Sequence, residues 1–277
     1  MFKEAFKYAN ENFKHKFISF FLILLPVALV SSLIGSFNLP DTAGVDFTQP
    51  TPTSPGNELG KYPILGILNQ LVLQGLVSVY ITIKVINDNE SIGTLKSISD
   101  YYYGSILFIF RLFLLGLCLV LAVLVAAVPG GIILIIGQAS NIELITSIGL
   151  IIGLIGILFI GLKTTFSYFY LICENKSLSE SILASFYSVP NKKVINLLGT
   201  FILLVLLVVI VSILIGMILS LALTPFMGIS MDAYIFALTF IMTLLSITML
   251  NIYMFLFFYR LYTYFKGDSD LSLNADL

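Results

Sequence analysis

The sequence predicts an all-α integral membrane protein, in which six transmembrane helices form three pseudo-repeated hairpins, each preceded by a cytoplasmic amphipathic interfacial helix. Three observations support this fold class. Apolar types make up 58% of the 277 residues and charged types only 10%, whereas soluble domains have about 45–50% and about 25%. Six apolar runs are long enough to cross a bilayer. Similar short segments also recur about every 88 residues, which indicates an internal repeat.

Each of the six apolar runs reaches about 20 residues, the length that crosses about 30 Å of hydrocarbon. The first does not resemble a cleavable signal peptide, because it is too long and no small-residue cleavage site follows it. Proline and glycine at Pro129–Gly131 are expected to end or kink the third helix, and Pro225 to stop the fifth. The runs lie at about 17–37, 63–86, 104–136, 142–172, 194–223 and 232–264.

The positions of lysine and arginine predict the orientation. With six spans, every one of the 14 Lys and Arg residues except Lys61 falls on one side. Such an excess is typical of cytoplasmic loops, so we expect a plasma-membrane protein with both termini in the cytoplasm. Residues 38–62 form the long external segment, which is rich in proline and threonine. This segment is either a tolerated surface loop or a loop that captures a ligand.

The repeat consists of an amphipathic stretch followed by a hairpin. The stretches KEAFKYANENFKHKF, ESIGTLKSISDYYYG and ESILASFYSVPNKK precede the first, third and fifth runs. Tyrosines close the even-numbered runs, although tyrosine is common at the membrane boundary of any helical membrane protein. We therefore predict a single membrane domain, 1–277, with repeats at about 1–89, 90–176 and 177–268 and a short tail, 267–277.

The amphipathic stretches are expected to lie flat on the membrane, with their apolar side in the headgroup boundary and their cations on anionic lipid. Alternatively, they cap the helical bundle from below. Arg111 and Lys163 are the charges nearest the membrane interior. Either their long stems reach back to the interface, or they line a cytoplasmic pocket for an anionic headgroup or substrate. The predicted lipid contacts are Lys14, Lys16, Arg111, Lys192 and Lys193.

A second set of polar residues lies inside the apolar runs. Amides in a membrane need partners, so the face that carries Gln70 and Gln74 should point at another helix rather than at lipid. These residues either bond helix to helix or line a polar transport path. Gly149 and Gly153 form a G-x-x-x-G motif, which favours close helix packing. The predicted polar set is Asn69, Gln70, Gln74, Lys163, Thr164 and Asn251.

The sequence offers little for catalysis. Acidic residues occur in the runs only at the ends, as Glu143 and Asp232, and His15 is the single histidine. No zinc-protease helix, phosphate-binding loop or nucleophile elbow is present, so we expect a protein that is not an enzyme and holds no cofactor or metal. A net charge of −1 without a basic stripe argues against a nucleic-acid partner.

The segment SLSESILASFYSVPNKKVINLLGTFILL is similar to the signature of YciC-like proteins and of the membrane domain attached to some bacterial glycerophosphoryl diester phosphodiesterases. KEAFKYANENFKHKF resembles another copy of the same pattern. Ser181 stands where the pattern usually has alanine. The resemblance implies about six helices and a role at the cell envelope; it transfers no functional residue, and nothing resembles the catalytic domain. The composition is rich in Phe, Ile and Lys and poor in Arg, which is typical of a low-GC bacterium.

Two functions follow from these features. The first is a non-enzymatic bacterial envelope protein that contacts lipid, with anionic headgroups favoured, or a partner membrane protein, in an accessory, immunity or homeostasis role. The alternative is a transporter or ABC-type permease subunit that moves a small or lipidic substrate along the polar residues of the second and fourth runs. The sequence leaves both open.

Overall fold

The computed structural model describes residues 1–37, 63–88, 95–227, 231–245 and 251–275. All regular secondary structure in these ranges is helical, which confirms the predicted all-α class. The predicted external loop, 38–62, lies outside the described residues. The helices are α1 (Phe2–Phe37), α2 (Pro63–Leu68), a π-helical segment (Asn69–Val77), α3 (Ser78–Asp88), α4 (Leu95–Ala139), α5 (Glu143–Lys163), α6 (Ser167–Cys173), α7 (Leu178–Ser188), α8 (Asn191–Met227), α9 (Met231–Leu245) and α10 (Asn251–Ala275).

Four stretches are long and apolar enough to cross a membrane, judged by length and composition. They match the second to fifth predicted runs. The first and sixth runs correspond to shorter apolar helical stretches, Phe21–Ile34 and Ala233–Met242, so a count of six spans stays a prediction. The four stretches are Gly66–Asn87, Ser99–Ala139, Glu143–Cys173 and Asn191–Pro225.

The three amphipathic stretches differ in the structure. The first continues without a break into the apolar part of α1, and the described part of the second is the beginning of α4. The third forms a separate helix, α7, because the chain leaves the helical conformation at Val189 (φ −95°, ψ 101°). Pro190 explains that break, since a proline disfavours the helical conformation of the residue before it.

Of the two alternatives predicted for Pro129–Gly131, a helix end is wrong, because α4 runs through these residues to Ala139, and a kink stays a prediction. The glycines instead allow close packing against α5, as predicted for the G-x-x-x-G motif. A Cβ on Gly130 would lie 2.3 Å from the backbone nitrogen of Gly153, and one on Gly149 would lie 2.5 Å from that of Leu134. Pro225 lies inside α8 just before its end at Met227, near the predicted stop.

The chain divides into two compact units. The first comprises Met1–Lys7, Phe108–Leu203 and Phe257–Leu277, and the second comprises Tyr8–Leu107 and Leu204–Leu256. These boundaries fall inside α1, α4, α8 and α10 and do not coincide with the predicted repeat boundaries. The first unit contains the α4–α5 hairpin and the α5–α6–α7 segment. The second contains the π-helical segment.

Candidate functional site

The first unit contains a corner where the chain turns from α5 through α6 into α7. The helix is interrupted at Thr164–Phe166, between α5 and α6. Hydroxyls bond the local backbone there: Thr164 Oγ1 donates to Ile160 O at 2.9 Å, and Ser167 Oγ donates to Thr164 O at 2.8 Å. Thr164 is buried, and its hydroxyl is satisfied by the bond to Ile160 in the last turn of α5.

Lys163, the last residue of α5, is almost fully buried, with an exposed fraction of 4%. Its ammonium donates to Phe186 O at 3.2 Å and to Val189 O, and lies 4.9 Å from the centre of the Phe186 ring. These carbonyls end α7, where backbone acceptors lack helical partners and the helix dipole is negative. The sequence predicts that Lys163 either reaches the interface or faces an open pocket. In the structure Lys163 caps the neighbouring helix α7, a contact between helices that the predicted polar set also allows. A contact of Lys163 with the membrane interface stays a prediction.

Serines form the inner face of α7. Ser181, Ser185 and Ser188 are buried, and Ser185 bridges to the α5–α6 break. Its hydroxyl accepts from Phe166 N at 3.1 Å and donates to Lys163 O at 2.8 Å. Small side chains with hydroxyl groups let α7 approach the turn closely while satisfying backbone groups that no helix bonds.

The start of α7 is fixed by a capping box. Ser177 N and Ser177 Oγ donate to Glu180 Oε2 at 3.0 and 2.7 Å, and Glu180 N donates to Ser177 Oγ at 3.4 Å. These hydrogen bonds from Ser177 to the carboxylate lower the pKa of Glu180. Both ends of α7 are therefore held by specific bonds, so its orientation on the first unit is defined.

The exposed side of α7 is polar near its start, at Ser179 and Glu180, and apolar in its second half, at Leu183 and Tyr187. Leu183 is 52% exposed and Tyr187 is 74% exposed. The exposed Lys192 follows near the start of α8. Residues four apart lie on the same side of a helix, so Leu183 and Tyr187 form one outward stripe.

A charged cluster surrounds Glu174, just after the apolar stretch Glu143–Cys173. Tyr262 Oη donates to its carboxylate at 2.5 Å, and Lys176 and Lys266 each bring Nζ to 2.8 Å. Burial alone would raise the pKa of Glu174, but the hydrogen bonds from Lys176, Lys266 and Tyr262 and the charge of Lys266 outweigh it and lower the pKa to about 2. The carboxylate is thus an anion with three donors.

Arg111 holds the loop that carries this cluster. Its Nη1 donates to Asn175 Oδ1 and its Nη2 to Lys176 O, both at 2.9 Å, and its guanidinium lies 4.9 Å from the Phe108 ring centre. Asn175 has φ 50°, a left-handed conformation that few residues except glycine and asparagine adopt. Arg111 therefore has internal partners, and a lipid contact through it stays a prediction.

The other predicted polar residues fall mainly in the second unit. Asn69 is buried, and its Nδ2 donates to Ser31 O at 3.1 Å. Within the described residues, Asn69 Oδ1 and Ser31 Oγ are buried without a hydrogen-bond partner. Gln70 is exposed and Gln74 half-buried, so the amide that contacts another helix is that of Asn69. Asn251, the first residue of α10, is half-buried.

The predicted lipid-contacting lysines differ in exposure. Lys14 and Lys192 are exposed. Lys193 is half-buried, donates to Tyr264 Oη at 3.3 Å and lies 4.9 Å from the Tyr264 ring centre. The side chain of Lys16 lies outside the described part of the chain.

The sequence analysis did not identify Glu174, Tyr262, Lys266 or Ser185. Tyr262 is one of several tyrosines near the end of the sixth apolar run, and Glu174 lies outside the fourth run. One sequence feature could have identified Glu174, because it is an acidic residue that follows a long apolar run almost directly. A carboxylate that is partly removed from water needs cationic partners. Among the described residues, no group of three or more His, Cys, Asp and Glu side chains could hold a metal.

No family model matches the chain, and neither a curated protein nor a solved structure is similar to it. The geometry therefore has to carry the functional argument. It provides a short helix whose two ends are held by specific bonds, two exposed apolar side chains on that helix, an exposed lysine shortly after it in the chain, and paired charges around Glu174.

Proposed function

We propose that this chain is a non-enzymatic, multi-pass protein of the bacterial cell envelope that works through contacts with membrane lipids or a partner membrane protein. In this proposal it has six transmembrane helices in three pseudo-repeated hairpins, with both termini in the cytoplasm. Its role is accessory, protective or homeostatic. The resemblance to YciC-like proteins agrees with this proposal.

The exposed surface of the long helices is the observation that carries the proposal. Only 6% of the most apolar stretch is buried in each of Ser99–Ala139, Glu143–Cys173 and Asn191–Pro225. Exposed side chains on them include Leu124 (58%), Ile155 (61%) and Leu221 (75%). Leaving one such side chain in water forgoes about 1.5–3 kcal/mol. Lipid or another apolar protein surface is therefore needed to cover them.

Native mass spectrometry of the whole chain from mild detergent tests this proposal. We expect either phospholipids with anionic headgroups or one protein in a stoichiometric amount to remain bound. Replacing the exposed Lys14 and Lys192 by glutamine should lower lipid retention, whereas Glu143→Gln, which also removes an exposed charge, should not. Two outcomes would contradict the proposal. In the first, the unmodified chain retains neither lipid nor protein. In the second, the double variant retains as much lipid as the unmodified chain and no protein is bound.

One observation favours the transporter alternative. The π-helical segment Asn69–Val77 begins at Asn69, whose Oδ1 is buried without a partner in the described residues, near the similarly unpaired Ser31 Oγ. π-Helical turns are frequent at functional sites, and an unpaired buried amide oxygen is costly. A polar substrate or ion that contacts Asn69 Oδ1 would supply the missing partner.

Uptake of a metabolite mixture into sealed membrane vesicles tests the alternative. We expect vesicles that contain the unmodified chain to accumulate at least one compound that vesicles with Asn69→Leu do not. Leu71→Ala, two residues away at a position that is 58% exposed, is the control, because Leu71 does not belong to the predicted polar set. Equal uptake by the three preparations would argue against a transport path at Asn69.

A further inference from the structure

Helix α7 has two chemically different faces, and only the inner one is used by the rest of the first unit. The buried serines bond to the α5–α6 break through Ser185, and Lys163 caps the last carbonyls. Leu183 and Tyr187 point away from these contacts and remain more than half exposed. In the second half of α7 the serines are buried and the apolar side chains are exposed, which is the reverse of a helix that packs on a soluble core. Ser179 and Glu180 are exposed near its start.

The position of α7 in the chain determines what its outer face can meet. Residues 174–177 join it to the apolar stretch Glu143–Cys173, and Val189 and Pro190 join it to Asn191–Pro225. Both stretches are long and apolar enough to cross a membrane. A helix tied this closely to two such ends lies at the membrane boundary, which is where tyrosine side chains are enriched.

The charge around α7 favours anions. Segment 174–193 contains Lys176, Lys192 and Lys193 against Glu174 and Glu180, and Arg111 adds a further positive charge through its bonds to residues 175 and 176. Glu174 is held by lysines and Tyr262, whereas Glu180 bonds the neutral Ser177 and keeps its negative charge. Positive charges still exceed negative ones in this region. Lys192 is exposed and follows Tyr187 by five residues along the chain.

We propose that the outer face of α7 is a docking surface for anionic phospholipids. Leu183 and Tyr187 enter the upper acyl region, about 5–10 Å into the boundary, and Lys192 meets the headgroup phosphates. This proposal rests on the proposed function, since it assigns a site to the lipid contacts. Because the capping box, Lys163 and Ser185 fix α7 before lipid binds, its face loses little freedom on contact.

The chain contains no tryptophan, so a single introduced tryptophan is an unambiguous fluorescent reporter of depth. We would reconstitute the full-length Tyr187→Trp protein into phosphatidylglycerol vesicles that contain lipids brominated either near the headgroup or near the chain ends. We expect strong quenching by the shallow bromines, weak quenching by the deep ones and weak quenching by aqueous iodide. Leu121→Trp is the deep control: Leu121 is 53% exposed on α4 and about 15 Å along the helix from Arg111.

The role of charge is tested in the same system. Lys192→Gln in the Tyr187→Trp background should reduce shallow quenching, and so should vesicles of zwitterionic phosphatidylcholine. Raising the salt concentration should also reduce shallow quenching, because salt screens the attraction between Lys192 and the headgroup phosphates. The screening length is about 10 Å at 0.1 M. Equal quenching in both lipids and both variants would overturn the anionic part of the proposal.

The remaining outcomes separate this proposal from the proposed function. If Leu121→Trp is quenched by deep bromines while Tyr187→Trp responds only to iodide, the chain is embedded but α7 faces water, and the docking surface is wrong. If the tryptophan at position 187 is shielded from both bromine and iodide, protein covers it, and this result also overturns the lipid-docking proposal. Failure of deep bromines to quench Leu121→Trp would instead contradict the membrane function itself.

Discussion

The α4–α5 hairpin and the α5–α7 corner belong to the same unit but hold their helices together by different means. In the hairpin, backbones touch where glycines remove the side chain: a Cβ on Gly137 would lie 2.4 Å from Thr146 N, and one on Gly156 would lie 2.4 Å from Ala126 O. In the corner, Lys163, Ser185 and the capping box supply polar bonds to backbone groups.

The hairpin lies in stretches that are long and apolar enough to cross a membrane, whereas the corner is made of short helices and their ends. Inside a bilayer, lipid is as apolar as leucine, so helices associate through close packing or through polar bonds rather than through the hydrophobic effect. The regular helices of the hairpin satisfy their own backbone groups and need only close contact. The corner contains the end of α5 and both ends of α6 and of α7, so it must satisfy carbonyls and amides that a continuous helix would bond internally.

The largest expected effect breaks the hairpin. Gly130→Leu places side-chain atoms where the α5 backbone lies, because a Cβ at position 130 would be only 2.3 Å from Gly153 N. It should destabilise the chain by about 3 kcal/mol or more. Gly131→Leu is the matched control, because a Cβ there meets nothing within 4 Å. Denaturant titration in mixed micelles measures both. Equal stability of the two variants would show that the helices do not touch at Gly130.

A smaller effect should follow from removing the ammonium that caps α7. Lys163→Met leaves Phe186 O and Val189 O without that donor, and should cost about 2 kcal/mol. Hydrogen exchange of amides in α7 should accelerate by about tenfold or more, since each 1.4 kcal/mol is about a factor of ten. Lys192→Met removes an exposed lysine as a control and should leave α7 protection unchanged in detergent. Unchanged exchange in Lys163→Met would refute the capping role.

Ser185→Ala should have a smaller effect again. It removes the bridge from Phe166 N to Lys163 O and should cost about 1 kcal/mol. Ser179→Ala, at an exposed position of the same helix, gives the same gain in helix propensity. The difference between the two variants therefore reports only the loss of the Ser185 hydrogen bonds. Faster exchange of the Phe166 amide in Ser185→Ala, but not in Ser179→Ala, is the expected pattern. The same exchange rate in both variants would mean that the bridge does not hold the break.

The smallest effect concerns pH. The pKa of folded Glu174 is about 2, below its ordinary value of 4.5, so its contribution to stability is complete above about 4.5 and is lost as pH falls toward 2. Because the site is partly exposed, we expect less than about 1 kcal/mol. The difference in unfolding free energy between the parent and Glu174→Gln should shrink over this window. A difference that does not change with pH would show that the carboxylate charge is not stabilising.

Composition and run length were sufficient to predict the all-helical class and four of the apolar stretches, because crossing a bilayer sets a length that can be counted in the sequence. The packing role of Gly149 and Gly153 was also predictable from spacing. The path of α4 through Pro129 was not. Whether a proline and glycines end a helix depends on the surface they meet, and here that surface is α5.

The polar bonds of the corner were harder to predict for a different reason. Arg111 and Lys163 are recognisable in the sequence as charges within apolar runs. Their partners are backbone carbonyls and an asparagine in the segment 175–189. Because every residue has a backbone carbonyl, the sequence does not indicate which carbonyls accept these bonds. Glu174 depends on Tyr262 and Lys266, which are about 90 residues away along the chain. A pairing over that distance is set by the fold and not by local pattern.

The short turn between α4 and α5 has a consequence for how the chain is made. Only Ser140, Asn141 and Ile142 separate the two helices, and Asn141 takes a left-handed conformation, φ 53°, that reverses the chain. Contacts between neighbours in sequence form early, before distant segments need to meet. The hairpin can therefore close as soon as α5 has been synthesised, and it offers a finished surface to the later helices as they enter the bilayer.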